Sequence, residues 1–196
     1  MPADSDEDNA TRARIVRAAE KLFSEKGFHG TGMSDIERSV RLGRGAIYYH
    51  IGNKEALLFD ITIRRIEKLN TYADEVLALA VEPAAKARLL ARAIVRDIAE
   101  HEHATRIFYR EWQWLTGDNR ERVVAAADRF EQAWVRILDE GAADRSLVAR
   151  RRLTVKGVLG LFNSIYLWYD PAGPMGPDEI ADELVDLLLD GLRTLS

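Results

Sequence analysis

Apolar residues recur with helical spacing along almost the whole chain, and no stretch of useful length alternates between apolar and polar residues as a strand does. In the first segment, Ile15, Ala19 and Phe23 follow the i, i+4, i+8 spacing and form one apolar face. Gly27 can end this helix as a C-terminal cap. The pattern predicts an all-α protein of about nine helices.

Capping and breaking residues predict where the later helices begin and end. Asn53 is a good N-cap for a long helix, and the run DPAGPMGP interrupts the chain before the last one. The predicted helices after the first span residues 33–40, 44–50, 53–79, 83–101, 105–115, 118–141 and 146–169, and the last begins at Pro177.

Charge is unevenly distributed along the chain, whose formal net charge is −4. Residues 11–54 carry nine Lys or Arg against four acids, residues 55–196 carry nineteen against twenty-four, and residues 1–10 add four acids. A basic front part beside an acidic remainder indicates that only the front faces a polyanion. A solvated surface explains the same excess equally well, so charge alone does not assign DNA binding.

Two short predicted helices joined by residues 41–43, after a supporting helix, have the helix-turn-helix layout. A plain helical bundle shares this periodicity, but the second short helix has an unusual outer side. Ile47 and Ile51 form its buried side, where i, i+4 spacing places them together. The residues left outside are Arg44, Ala46, Tyr49 and His50. Arginine can bind guanine O6 and N7 or phosphate, and tyrosine can donate to phosphate, so this side favours contact with DNA.

From Thr11 to about Leu58 the chain resembles the DNA-binding domain of the tetracycline-repressor (TetR) family of bacterial regulators. The matching runs are AAEKLFSEKGFHGTGMSDI, RGAIYYH and NKEALL. The resemblance implies a homodimer that binds a near-palindromic DNA operator, usually represses, and releases DNA when a small molecule enters its C-terminal domain. Carried over to this sequence, it implies residues at or near the DNA at Thr31, Met33, Ser34, Arg44, Gly45, Ala46, Tyr48, Tyr49, His50 and Lys54.

The front part departs from the family pattern in the turn and at the start of the preceding helix. Arg41 replaces the usual glycine of the turn, Gly43 replaces a usual serine, and Gly32 with Met33 partly replaces a threonine pair. Arg41 and Arg44 are expected to supply the missing attraction to phosphate. The expected organisation is a disordered tail at 1–10, a helix-turn-helix domain at 11–56 and a ligand-binding and dimerisation domain at 57–196.

The last two predicted helices carry broader apolar surfaces than one core requires. This excess predicts a four-helix contact across a two-fold axis, which the resemblance also implies. A purely internal core is the alternative. The predicted interface residues are Val158, Phe162, Ile165, Ile180, Leu184 and Leu188.

Aromatic residues concentrate at 107–115, 130–134 and 161–169. Core packing accounts for most of these rings, and an apolar effector pocket with a few polar groups is the alternative. The run WYDPAGPM resembles actinobacterial TetR-type repressors of lipid or steroid breakdown, some of which sense acyl-CoA thioesters. An acyl-CoA or another large apolar anion is therefore the expected effector, although Leu167 stands where a relative carries arginine. The candidate ligand-binding residues are Arg106, Arg110, Gln113, Trp114, Trp134, Phe162, Asn163 and Tyr166.

Other kinds of site receive no support from the sequence. Without cysteine, the chain has no disulfide, no Cys-ligated zinc and no thiol catalysis. The run HEH at 101–103 lacks a second histidine four residues on, because Thr105 stands there. We therefore expect no metal, no cofactor and no enzymatic activity. The acidic N-terminus and the lack of a long apolar run predict a soluble cytoplasmic protein, and the alternative to a regulator is a small-molecule-binding helical scaffold without DNA binding.

Overall fold

The computed structural model describes residues 3–147 and 152–192, and all regular structure within these ranges is helical. This confirms the predicted all-α class. The helices are α1 (Ala3–Gly30), α2 (Met33–Val40), α3 (Arg44–Ile51), α4 (Lys54–Ala78), α5 (Pro83–Glu100), α6 (Glu102–Arg110), α7 (Gly117–Ala143), α8 (Arg152–Asn163) and α9 (Pro177–Leu192), with short 3-10 helices at Trp112–Trp114 and Ser164–Leu167.

The first helix is longer than the sequence predicts. It begins at Ala3, so residues 3–10 are helical where composition predicts a disordered tail. Acidic residues stabilise the first turns of a helix through its dipole, so an acidic start is compatible with helix. Arg12 also forms an ion pair with Asp60 of α4 and ties the early part of α1 to the fold. Gly27 has φ 76° and ψ 164°, which interrupts the regular helix where a cap is predicted.

The chain divides into two compact units, of which the first contains Met1–Arg65 and His103–Val124. Its core joins the apolar faces of α1 to α4 with residues from the later segment: Ile15, Val16, Ala19, Phe23, Phe28, Ile36, Val40, Ile47, Ile51, Leu57, Leu58, Ile61, Ile107, Leu115 and Val123. The helix-turn-helix therefore packs in one core with a segment distant in sequence.

The second unit contains Ile66–Glu102 and Ala125–Ser196, and α5 packs against α9 within it. Three arginines on α5, four residues apart, pair with three aspartates on α9 in reverse order, so the two helices run antiparallel. The pairs of this arginine–aspartate ladder are Arg88–Asp186, Arg92–Asp182 and Arg96–Asp178. Arg88 also contacts Asp182 at 3.4 Å, so the ladder holds the two helices in register through pairs on neighbouring turns of α9.

Loss of the central ion pair, Arg92–Asp182, is expected to reduce the stability of the fold only while Asp182 is ionised. Arg92→Gln should lower the free energy of unfolding by about 1 kcal/mol near neutral pH, the upper end for a partly exposed ion pair. The hydrogen bonds from Arg92 hold the pKa of Asp182 below its ordinary value. A carboxylate with a lowered folded-state pKa stabilises the fold above its unfolded pKa, and this contribution disappears as pH falls through the folded pKa.

Urea titrations near neutral pH and at about pH 2 measure this difference. Arg136→Gln is the matched control, because Arg136 is an exposed arginine with no polar partner among the described residues. An equal loss of stability for Arg92→Gln at both pH values would contradict the electrostatic role.

The eighth helix differs from its predicted span of 146–169. Ser146 lies in a turn, where its N–H donates to Asp144 at 2.8 Å; residues 148–151 lie outside the described part, and α8 is described from Arg152. The chain tightens to a 3-10 helix at Ser164–Leu167, and the Trp168 N–H donates to the Ile165 carbonyl three residues before it. None of the helices in the described ranges is long and apolar enough to cross a membrane.

Candidate nucleic-acid interface

Helices α2 and α3 form a helix-turn-helix anchored by one apolar side of each helix. Ile36 and Val40 of α2 and Ile47 and Ile51 of α3 are buried in the core of the first unit. Between the helices, Arg41 has φ 55° and ψ 42°, and its N–H donates to the Glu37 carbonyl. This left-handed conformation costs a non-glycine residue about 1 to 2 kcal/mol, so the turn is strained at Arg41.

The opposite side of α3 is open to solvent. Arg44, Gly45 and Ala46 are exposed, and Tyr49 retains 77% of its accessible surface. The Arg44 guanidinium lies 5.4 Å from the centre of the Tyr48 ring, and its interaction with the Tyr48 side chain raises the pKa of Arg44 above its usual value. The exposed side of α3 therefore presents a cation and an extended aromatic side chain.

Gly45 has no packing role within the chain. A Cβ built at this position meets no atom within 4 Å, although glycine inside a helix costs about 0.5 to 1 kcal/mol relative to alanine. A glycine that the fold does not need is explained if another molecule approaches the backbone closely at this point.

Gly45→Ala should therefore stabilise the fold and weaken DNA binding at the same time. We expect the free energy of unfolding to rise by about 0.5 to 1 kcal/mol. We expect affinity for duplex DNA to fall by about tenfold, which corresponds to about 1.4 kcal/mol of steric cost. Urea denaturation and fluorescence anisotropy measure the two effects. Ser39→Ala on the exposed side of α2 is the control, and unchanged DNA affinity in Gly45→Ala would contradict close approach.

Two predicted DNA contacts instead close the end of α1. Thr31 is fully buried, and its hydroxyl donates to the carbonyls of Gly27 at 2.9 Å and Leu22 at 3.2 Å. This corrects the prediction for its side chain, which has no exposed surface to offer DNA. The Lys54 ammonium donates to the Phe28 and Thr31 carbonyls at 2.9 and 3.0 Å and so helps to close the end of α1. A phosphate contact by Lys54 stays a prediction.

The remaining predicted contacts differ in their access to solvent. Ser34 is exposed, whereas Met33 packs partly against the core. Tyr48 is 37% exposed, at the edge of the open side of α3. His50 is largely covered, and its Nδ1 lies 4.0 Å from an Asp8 carboxylate oxygen of α1.

Residues 103–124 brace the helix-turn-helix through contacts that the sequence analysis missed. Glu111 accepts a hydrogen bond from the Phe28 N–H at 3.1 Å, and the rings of His29 and Trp114 lie 4.3 Å apart. Glu55, at the start of α4, accepts from the Thr116 N–H at 2.9 Å. Periodicity describes one helix at a time, so no local signal could identify partners that lie 61 to 85 positions apart in the sequence.

The candidate ligand residues divide between the two compact units. Arg106, Arg110, Gln113 and Trp114 belong to the first, where Gln113 donates to the Arg110 carbonyl at 3.0 Å and Trp114 packs on His29. Trp134, Phe162, Asn163 and Tyr166 belong to the second. The structure therefore shows no single unit that contains all eight.

The aromatic pair of the second unit is fully buried. The rings of Trp134 and Phe162 stack with their centres 5.8 Å apart, and both side chains are 0% exposed. The Trp134 indole N–H is buried and has no hydrogen-bond acceptor among the described residues. An unsatisfied buried donor costs about 1 to 3 kcal/mol, so this N–H favours any ligand that brings an acceptor to it.

Two cavities in the second unit are lined by other residues. One of about 430 Å³ lies between α4 and α5 beside Lys68, Tyr72 and Arg96, and one of about 260 Å³ lies beside Trp168, Met175 and Leu184. Trp134 and Phe162 line neither of them.

The predicted dimer contacts are mostly internal. Val158, Phe162, Ile165 and Ile180 are buried inside the chain itself, which corrects their assignment, because a core residue has no surface left for a partner. Leu184 and Leu188 are half-buried. The exposed large apolar residues of this region are Leu153, Leu167, Trp168 and Leu187, at 80%, 63%, 54% and 67% exposure.

Sequence comparison matches both parts of the chain to known protein families. Residues 15–61 match the profile described as bacterial regulatory proteins, tetR family, and residues 80–192 match the tetracyclin repressor-like C-terminal domain. The HTH-type transcriptional repressor KstR2 of Mycolicibacterium smegmatis is 26% identical over 187 residues, covering 92% of this chain and 90% of that protein.

Solved structures share the fold over nearly the whole chain. PfmR, a TetR family transcriptional regulator from Thermus thermophilus, has a TM-score of 0.85 at 30% identity and covers 92% of this chain and 100% of its own. AibR in complex with isovaleryl coenzyme A and operator DNA has a TM-score of 0.82 at 23% identity, covering 91% of this chain and 98% of its own.

Proposed function

The chain belongs to the TetR family of bacterial regulatory proteins, and on this premise we propose that it is a repressor that binds a near-palindromic operator as a homodimer and is released by an acyl-CoA or similar large apolar anion. Members of the family are transcriptional regulators, which confirms the prediction that the chain is not an enzyme. The division into a helix-turn-helix domain at 11–56 and a ligand-binding and dimerisation domain at 57–196 is part of this proposal.

The exposed side of α3 carries the DNA-binding part of the proposal. Ile47 anchors the helix at 0% exposure, while Arg44 and Tyr49 point away from the core and Gly45 leaves open space between them. A helix with this arrangement can enter the major groove, place arginine against guanine and place a tyrosine ring against a thymine methyl. A helical scaffold without DNA binding gives no reason for this set of residues.

Dimerisation is supported by the exposed apolar residues of α8 and α9. Gly157 and Gly160 of α8 are exposed, and a Cβ at either meets no atom within 4 Å. Leu153 and Leu187 expose large apolar surfaces on the same two helices. Small residues beside apolar side chains allow two helices to approach closely, and a two-fold axis makes such a surface bind its own copy.

The effector is proposed to reach the buried aromatic pair of the second unit by displacing the side chains that cover it, because the pair lines neither cavity described above. A thioester or other carbonyl oxygen can accept from the Trp134 N–H, which otherwise lacks an acceptor among the described residues. Phe162 supplies an apolar stacking surface beside it, and Asn163 and Tyr166 are the proposed polar groups at the edge. Isovaleryl coenzyme A is a ligand of AibR and a suitable first probe of this acyl-CoA class.

Selection from randomised duplex DNA tests the proposed operator. The purified full-length protein should enrich one near-palindromic sequence whose half-site centres lie about one helical turn, 34 to 36 Å, apart. Enrichment of a single half-site would contradict the dimeric arrangement. Salt-independent association with DNA, or none, would favour the scaffold alternative.

The effector is tested on the selected operator complex. Isovaleryl coenzyme A and a longer acyl-CoA should release the DNA and quench Trp134 fluorescence, and free coenzyme A should do neither. Trp134→Phe should keep the operator affinity and lose the response to the acyl-CoA. Release of DNA by free coenzyme A alone would contradict recognition of the acyl part.

A further inference from the structure

Two exposed arginines near the end of α2, Arg14 of α1 and Arg41 of the turn, have no acidic partner among the described residues. Several other cations of the first unit do have one. Arg12, Lys26 and Arg38 form ion pairs with aspartates. Within the described ranges, Arg14 has a single polar partner, a backbone carbonyl, and Arg41 has no side-chain partner. Both are exposed, so their charge is available to another molecule.

The structure brings Arg14 and Arg41 to the same point. An Arg14 Nη2 donates to the carbonyl of Val40 at 3.1 Å, and Val40 is the last residue of α2 and the neighbour of Arg41. A guanidinium has five N–H donors in a planar fork, and this carbonyl occupies one nitrogen. Arg14 is therefore held in place at the helix end while most of its donors stay open to solvent.

The conformation of Arg41 shows that the turn itself does not favour an arginine at this position, although its N–H caps α2. Arg41 occupies the left-handed region at φ 55°, where glycine is free of strain. A strained arginine whose side chain contacts no acid in the described part is not explained by the fold. Strained backbone conformations are often found at binding sites, where contact with a ligand explains why the strained residue is kept.

We propose that Arg14 and Arg41 form a DNA-backbone contact of their own, in which each binds one phosphodiester group beside the base-reading residues of α3. The inference rests on the proposed DNA binding of α3. Arg41 precedes Arg44 by three residues, so their Cα atoms lie within about 11 Å of each other. The major groove is about 12 Å wide, so a cation within this distance of a residue in the groove is close enough to contact the phosphates at its edge.

The guanidinium group suits a phosphodiester. Its fork binds two phosphate oxygens at once, and the phosphate supplies the negative charge that neither arginine has nearby among the described acidic residues. Arg14 belongs to α1 and Arg41 to the turn after α2. Together they would therefore hold the DNA backbone at two points. Such a contact fixes the angle at which α3 enters the groove and carries no base preference itself.

The salt dependence of binding to a duplex of unrelated sequence tests this proposal, because it does not require the operator. Each phosphate contact contributes about 0.9 to the slope of log affinity against log salt, or about eightfold in affinity at 0.1 M salt. We expect Arg14→Gln and Arg41→Gly each to reduce the slope by about 0.9 per bound subunit, and the double variant by about 1.8. Arg14→Lys should keep the slope, since the charge is retained.

Arg64→Gln is the matched control. Arg64 is also exposed and has no polar partner among the described residues, but it lies ten residues, about 15 Å, along α4 from Lys54. Thermal melts establish that each variant is folded, and Arg41→Gly should melt no lower than wild type because it removes the strained arginine. Unchanged slopes in Arg14→Gln and Arg41→Gly, or an equal decrease in Arg64→Gln, would overturn the phosphate contact. Loss of all salt-dependent binding in the wild-type protein would instead contradict the proposed function.

Discussion

Arg44→Ala is expected to weaken binding to the selected operator by about 30-fold to 20,000-fold. A good arginine contact with guanine is worth about 1 to 3 kcal/mol, and a homodimer loses it in both half-sites, which gives about 2 to 6 kcal/mol. Because Arg44 is exposed and makes no ion pair in the described part, its removal leaves the core of the first unit intact. Fluorescence anisotropy with a labelled operator measures the loss.

The loss should depend on sequence, which separates base reading from general attraction. Affinity for a duplex of unrelated sequence should fall far less than affinity for the operator, and discrimination at one base pair of each half-site should disappear. Arg129→Ala is the control, because Arg129 is an exposed arginine of α7 that pairs with Glu67 and Asp74. If Arg44→Ala and Tyr49→Ala both leave operator affinity unchanged, α3 is not the recognition helix.

The sequence predicts α2, α3 and α4 well because local signals are strong there. Observed α2 has the predicted span, and the Asn53 carboxamide accepts from the Ala56 N–H at 2.8 Å, as an N-cap does. Prediction is poorer at the start of α1, where an acidic composition indicates disorder and the structure has helix from Ala3. Composition cannot detect the ion pair between Arg12 and Asp60, because these residues are nearly fifty positions apart in the sequence.

The candidate site shows the same division between local and distant information. Helical spacing identifies the exposed side of α3, including Tyr49, because burial of Ile47 fixes the orientation of the helix. The family resemblance places Thr31 near DNA, but inside the fold its hydroxyl donates to the carbonyls of Gly27 and Leu22. Helical spacing also misses the hydrogen bond from the Phe28 N–H to Glu111, since it joins residues 83 positions apart.

The dimer prediction illustrates why an apolar pattern alone cannot assign an interface. Val158 and Ile180 follow apolar stripes, but the structure uses them in the core of the second unit. The residues left for a partner are neighbours on the same helices, such as Leu153 and Leu187, and periodicity gives both groups the same weight. Only the packing of α8 and α9 within one chain shows which positions remain exposed.

Leu187→Glu is expected to convert the proposed dimer into a monomer. Leu187 is 67% exposed on α9, and burial against a second copy would remove this apolar surface from water. A carboxylate at this position would lose its hydration without gaining a cationic partner. The two-fold axis would also bring the same carboxylate from the second subunit to the interface. A cost of about 4 kcal/mol or more raises the dimer dissociation constant by about 1,000-fold. Sedimentation velocity over a range of protein concentrations measures the change.

Operator binding should fall together with dimerisation, because one chain contacts only one half-site. Circular dichroism should show an unchanged helical content, since Leu187 contributes little to the core. Leu79→Glu is the matched control: Leu79 is 44% exposed just beyond the end of α4, and this variant should remain a dimer. If Leu187→Glu stays dimeric with wild-type operator affinity, the exposed apolar side of α9 does not join two copies, and another surface must account for the symmetry of the operator.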